Sequence, residues 1–227
     1  MPITPAQALQ MLQNDTEAFL NRYPIRIFGD PTGSSASANY RIEDATGQLP
    51  QGSVPQRPGS ILRHLHHHDT QLFHIKAGVS IVPGQNAPGS AWFMAHSVKM
   101  WDSGSPQNIQ PYTLPAAGGP NLMVTGELTG CAFAIHDNGN GSLVVAHVKP
   151  HTLRPGEHPS AALRAVPLQN SLQANPYWHV VYGGKDYSPG TRRVAIVGRR
   201  TNTGWKIYAQ KLENAMPHNI RKVKRIF

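Results

Sequence analysis

The amino-acid sequence predicts an α+β domain, and three observations carry that expectation. Glycine (21) and proline (20) are abundant in 227 residues, while the hydrophobic share is only 39%; that composition favours short strands and many turns over a helical bundle. The N-terminal stretch carries the signals of a capped helix. Most of the remaining apolar residues fall in short runs broken by Gly, Pro and Asn, the pattern of strands and hairpins. A chain of this length buries a sizeable core, and nothing in its composition forces a division. One domain spanning residues 1–227 is expected.

The helix is read over residues 1–22. In "TPAQALQMLQNDTEAFLNRY", Thr4 serves as N-cap, Pro5 takes the first helical position and Gln7 stands three after the cap, which makes a capping box. Leu9, Leu12, Phe19 and Leu20 can share an inward stripe. A short strand candidate, "YPIRIFG", follows. Residues 30–60 are polar and rich in Gly, Ser and Pro, and read as a flexible surface excursion within the domain. "ILRHLHHHDTQLFHI" then groups His64, His66, His67, His68 and His74. A zinc site needs three or four converging ligands, and adjacent residues 66–68 cannot all point one way. The stretch is read as an exposed turn or helix holding no metal.

Strand candidates follow at "VSIVPG", "AWFMAHSVKMW" and "NLMVTGE", then a hairpin candidate at "CAFAIHDNGNGSLVVAHV". Residues 149–176 read as a loop with one short helix. Three further strands, "YWHVVYGG", "RRVAIVGRR" and "GWKIYAQKL", end the pattern, the last two joined by the turn "TNTG". Trp178, Tyr182, Trp205 and Tyr208 are assigned to the packing of this meander, because they lack the arrangement of a base-stacking platform.

Charge narrows the partners. The net charge is +9, with clusters at Arg192, Arg193, Arg199 and Arg200 and at Arg221, Lys222, Lys224 and Arg225. That balance points to an anionic partner: a nucleic acid, a membrane surface or an acidic protein. The single cysteine excludes an internal disulfide, so its role is that of a free thiol. No apolar run is long enough for a membrane span, and the polar N-terminus lacks the features of a classical signal peptide.

That cysteine, Cys131, sits in "VTGELTGCAFAI", and the hairpin it opens makes a geometric prediction. Opposed residues of an antiparallel pair share a constant index sum, and a turn over Asp137–Gly141 centred on Gly139 sets His147 directly opposite Cys131. Directly opposed side chains share a face. A two-residue shift in register keeps them there. An imidazole beside a thiol can take its proton and later return it to a leaving amine. Thr129 and Gly130 place Cys131 where backbone N–H groups can face a developing oxyanion.

"GELTGCAFAIHDNGNGSLVVAHV", with a small residue and Gly before the Cys and a His across a turn, resembles the catalytic hairpin of the glutamine deamidase toxins of the cytotoxic necrotizing factor type. The related lethal factor type has a Leu-Ser-Gly-Cys stretch, matched by Leu128, Thr129, Gly130 and Cys131. The resemblance implies a central β-sandwich of mostly antiparallel strands flanked by helices and long loops. It implies a secreted or injected effector that acts in a host cytosol, as a monomer and without a cofactor. Its substrate would be a glutamine of a Rho-family GTPase or a translation factor. Cys131 would be the nucleophile, His147 its base, and a backbone carbonyl would orient the histidine. That carbonyl would be Thr125 by the lethal-factor spacing, or one within Ala95 to Val98 by the spacing of the larger toxins. The basic residues Arg192 and Arg199 would steer acidic target surfaces.

Two other classes stay open. A basic nucleic-acid-binding module without catalysis rests on charge alone. A papain-like protease or transglutaminase also uses Cys and His, but with the cysteine at a helix start and the histidine far downstream.

Overall fold

The structure, a computed structural model, describes residues 2–29, 35–49, 71–78, 89–102, 110–150 and 161–227. Two helices open the chain, α1 (Pro5–Asn14) and α2 (Thr16–Arg22). Strands β1 (Ile25–Phe28), β2 (Ala36–Asp44), β3 (Phe73–Ala77), β4 (Ser90–Val98), β5 (Met100–Asp102), β6 (Tyr112–Leu114), β7 (Leu122–Thr125), β8 (Ala132–Asp137) and β9 (Leu143–Lys149) follow. Then come α3 (Ala161–Ala174), β10 (Val180–Tyr182), α4 (Gly184–Tyr187), β11 (Arg192–Thr201), β12 (Gly204–Glu213) and β13 (Ile220–Arg225).

The strands form two sheets. The larger has eight strands in the order β1-β3-β2-β4-β7-β11-β12-β13, and the smaller runs β10-β8-β9-β5 with β6 also paired to β9. Three pairings are parallel, β1 with β3, β4 with β7 and β5 with β9, and the others are antiparallel. The α+β sandwich expected from the sequence is what the chain forms.

Strand alternation sorts the side chains into layers. One face of the large sheet packs on α1 and α2 through Ile25, Ile42, Phe73, Val124 and Val197, with Leu12, Phe19 and Leu20 from the helices. Its other face meets the small sheet through Met123, Val194, Ile196 and Ile207 against Phe133, Ile135 and Val145. Ala132, Ala134 and Ala146 line the far face of the small sheet, and Leu172 of α3 and Trp178 cover it. Trp178, Tyr182, Trp205 and Tyr208 are all buried in this packing, so none offers a face to a base. No helix among the described residues is long and apolar enough to cross a membrane.

Several expectations need correction. The single N-terminal helix is two: Thr4 makes the capping box as read, but the Asp15 carboxylate accepts from Ala18 N–H at 3.0 Å and starts a second helix. Within the supposed surface excursion at 30–60, residues 36–44 form β2, an interior strand of the large sheet with Tyr40 and Ile42 buried. The Gly, Ser and Pro around it masked a short alternating run. His74 lies buried in β3 instead of on an exposed turn, while His64, His66, His67 and His68 lie outside the described residues, as does "VSIVPG". The short helix after the hairpin is the 14-residue α3. The basic tail forms the edge strand β13, which the density of charge concealed.

Candidate active site

Two segments of chain cross between the sheets at one corner of the sandwich. β4 belongs to the large sheet and β5 to the small one, so the chain changes sheets at Lys99. β7 also belongs to the large sheet and β8 to the small one, and residues 126–131 make that second crossing. Parallel pairing sets Val98 beside Thr125 in the large sheet and Met100 beside His147 in the small one. Thr125, His147 and Cys131 are thus gathered by two crossovers.

The second crossover is tied down at three points. Leu128 exchanges both backbone hydrogen bonds with Val194 of β11, at 2.9 and 3.0 Å. The buried carboxylate of Glu127 accepts from Arg26 Nε at 2.6 Å, from Ile27 N–H at 3.0 Å and from Arg193 at 2.8 Å. The Tyr187 hydroxyl donates to the carbonyl oxygen of Cys131 at 2.9 Å, and burial first of all raises the pKa of that phenol, so it remains a donor. A buried anion with two cationic partners and a backbone donor is costly to displace, which restricts where Cys131 can lie.

The hairpin register is shifted from the predicted one. Asp137 opposes Leu143 and Phe133 opposes His147, because the turn runs over 138–142: Ser142 joins it through Asn138 Nδ2 at 2.8 Å and by its own N–H to Asn140 Oδ1 at 3.0 Å. Gly139 and Gly141 take φ values of 73° and 83°, which glycine adopts without steric cost. Cys131 is therefore diagonal to His147, not directly opposite. A diagonal pair on one face is about 7–8 Å apart at its Cα atoms, still within reach of an imidazole. Phe133 and Cys131 both face the interior between the sheets, so the cysteine and the histidine remain on one face.

The histidine is held by a hydroxyl. Thr125 Oγ1 lies 2.7 Å from His147 Nδ1 and 2.6 Å from the carbonyl oxygen of Val98. A carbonyl only accepts, so the Thr125 hydroxyl donates to Val98 and must accept from the Nδ1–H of His147. The tautomer follows, with the proton on Nδ1 and a lone pair on Nε2. Nε2 is buried and has no hydrogen-bond partner among the described residues. This corrects the expected role of Thr125: its side chain orients the imidazole, not its backbone carbonyl. The carbonyl comes from Val98, at the end of the alternative stretch Ala95 to Val98, and acts through that hydroxyl.

Burial alone holds His147 far below the ordinary imidazole range, at about 3. The ring is neutral at physiological pH. Burial also lowers His74, to about 4 with help from Lys76 and Arg26, and lowers His96 and His218. The unfolded chain has ordinary imidazoles near 6.5. Above about pH 6.5 neither state binds the protons and the full stability is present; below it the unfolded chain takes up protons that the folded one refuses. The urea midpoint should be flat above about pH 6.5 and fall steadily down to about pH 5, before most carboxylates titrate. A midpoint unchanged across that window contradicts buried neutral imidazoles.

Cys131 is 6% exposed. Its sulfur donates to Met100 Sδ at 3.5 Å, and that thioether reaches over β9 from the opposite side. The thiol is thus engaged by a methionine and not by the imidazole. A reagent approaching the sulfur from this side meets the Met100 thioether. Met100→Ala should speed alkylation of Cys131 by iodoacetamide severalfold at neutral pH, whereas Met100→Leu, similar in volume, should do so less. Equal rates in all three proteins would show that the thioether does not cover the sulfur.

The structure brings the sequence candidates Cys131, His147 and Thr125 to one corner of the sandwich; Met100, Tyr187 and Glu127, which touch this corner through contacts across both sheets, were not among the candidates. Among the steering arginines, Arg199 donates instead to the carbonyls of Gln13 and Asn14 at the end of α1, and Arg192 lies 4.0 Å from Glu213. No three His, Cys, Asp or Glu side chains group as metal ligands among the described residues. Comparison with protein-family models and with curated sequences gives no match for this chain.

Proposed function

We propose that the chain is a cysteine-dependent protein glutamine deamidase, a toxin or effector that converts a glutamine of a host protein to glutamate. The observation that carries this reading is the run from the Val98 carbonyl through the Thr125 hydroxyl to His147, which leaves the Nε2 lone pair on the face that bears Cys131. An imidazole held near 3 accepts a proton only when a negative charge forms beside it, and sulfur loses its proton as it attacks. The two events are coupled. Cys131 Sγ bonds to the carboxamide carbon and its proton passes to Nε2; the tetrahedral oxyanion collapses as His147 returns the proton to the amide nitrogen, and ammonia leaves. Water, deprotonated by the same Nε2, then hydrolyses the thioester, releasing glutamate and the thiol. The Tyr187 hydroxyl and the Glu127 network hold Cys131 in place throughout.

The reading implies a macromolecular substrate in the cytosol of another cell, with Rho-family GTPases and translation factors as the first candidates. In a GTPase, loss of a catalytic glutamine amide removes the group that positions the attacking water. Incubating this protein with purified GTPases and translation factors, followed by peptide mapping, should show one glutamine gaining the amide-to-acid mass difference. Cleavage of the substrate backbone would instead mark a protease and overturn the assignment.

A further inference from the structure

The face of the large sheet that packs on the small one continues past the edge of the sandwich, and there it is cationic. Strand register follows it residue by residue: Leu128 pairs with Val194, Val194 with Lys211, and Lys211 with Lys222. Paired residues share a face, and Leu128 and Val194 belong to the intersheet core. Lys211 and Lys222 therefore extend the same surface outward. Lys224 shares that face, two residues along β13 from Lys222 and two before the buried Ile226 of the same core.

This arrangement concentrates charge without neutralising it. Lysines placed directly opposite in an antiparallel pair repel. The pKa of Lys211 is lowered, by burial first and then by Lys222 and Arg192. Nearby carboxylates are occupied elsewhere. Asp186 Oδ2 accepts from Gln169 Nε2 at 2.7 Å and from Gly183 N–H at 3.0 Å, and only the main-chain oxygen of Asp186 meets Lys211, at 2.9 Å. Glu213 is taken by Asn219 and Arg221. Among the described residues no carboxylate forms an ion pair with Lys211, Lys222 or Lys224.

The patch lies beside Cys131 by two routes. Leu128, three residues before the cysteine, is three strand spacings from Lys222, roughly 14 Å. Lys224 Nζ stands 6.0 Å from the Tyr182 ring, which stacks at 6.3 Å on Tyr187, whose hydroxyl holds the Cys131 carbonyl. A protein interface of about 800 Å² per partner spans both.

We propose that Lys211, Lys222 and Lys224 form the docking surface for an acidic patch on the protein substrate, one that flanks the glutamine delivered to Cys131. This rests on the deamidase reading for the nature of the substrate, not for the existence of the surface. A folded acidic protein fits better than a nucleic acid, because three lysines neutralise only about three phosphates, a small share of the counterion release that drives backbone binding, and Tyr182, the aromatic ring at the patch, is buried. The patch steers and orients its partner. Its effect should weaken with salt, as exposed charges are screened beyond about 8–10 Å at physiological ionic strength.

The test uses the full chain and a fluorescent oligoglutamate peptide, read by anisotropy at low and physiological salt. The double variant Lys222→Glu/Lys224→Glu should weaken peptide binding by roughly tenfold or more at low salt and by less at high salt. Lys206→Glu, on the opposite face of β12, should change it little. Cys131→Ala should bind the peptide like the parent, which separates docking from chemistry: absent deamidation with intact, lysine-dependent binding overturns the enzymatic reading alone. Equal loss in Lys206→Glu and in the charge-matched single variant Lys222→Glu would reduce the effect to net charge and overturn the patch. Tighter lysine-dependent binding of a duplex oligonucleotide than of the peptide would overturn it in favour of nucleic acid.

Discussion

Replacing Cys131 with serine is expected to lower deamidation by at least about 10³-fold while leaving the protein folded. An alcohol is far less acidic than a thiol, and the neutral His147, held near 3, is too weak a base to deprotonate it ahead of attack. The replacement is close in size, and at 6% exposure the hydroxyl costs about 1–3 kcal/mol at most if it finds no partner. Circular dichroism and a urea midpoint near that of the parent establish folding, and peptide mapping of the substrate establishes the rate. Modification that persists in the folded serine variant would remove Cys131 from the chemistry. His147→Ala should cost nearly as much, because in the proposed mechanism the same Nε2 serves thiol, leaving amine and water.

The second large effect is expected at Thr125. Valine matches its shape and removes the hydroxyl, leaving the Nδ1–H of His147 and the Val98 carbonyl facing each other's lost partner in a buried site. Each unsatisfied group costs about 1–3 kcal/mol. Thr125→Val should therefore lose about 2–6 kcal/mol of stability and, with the His147 tautomer no longer fixed, about 10²-fold in rate. Thr125→Ser keeps the hydroxyl and should recover most of both. If valine is as active as threonine, the backbone carbonyl of Thr125 orients the ring, as the lethal-factor spacing implied, and the hydroxyl is incidental. The kcat and KM readouts separate the cases, since a structural loss alone lowers the folded fraction without shifting the pH profile of the folded enzyme.

Local signals were legible wherever a short range of sequence decides the outcome. The Thr4 capping box, the strands at 91–98, 122–125 and 192–213, and the hairpin at 132–149 depend on near neighbours and on side-chain period. β2 was not legible, because its alternation is short and its strand character comes from pairing with β3 and β4 on either side. β13 was hidden for the related reason that an edge strand tolerates charge on exposed positions.

The candidate site divides in the same way. Sequence by itself determined that the one cysteine precedes a hairpin strand and that a histidine on the returning strand shares its face; period-two alternation keeps this when the turn moves one residue along, from 137–141 to 138–142, because the register then shifts by two. Tertiary structure alone decided which group holds the histidine. Thr125 and Val98 are 27 residues apart on neighbouring strands of one sheet while His147 belongs to the other, and only the two crossovers at Lys99 and at 126–131 bring a hydroxyl between them. A buried donor and a buried acceptor must be paired at close range, and which groups meet is set by how the sheets stack, a long-range outcome that no local pattern encodes.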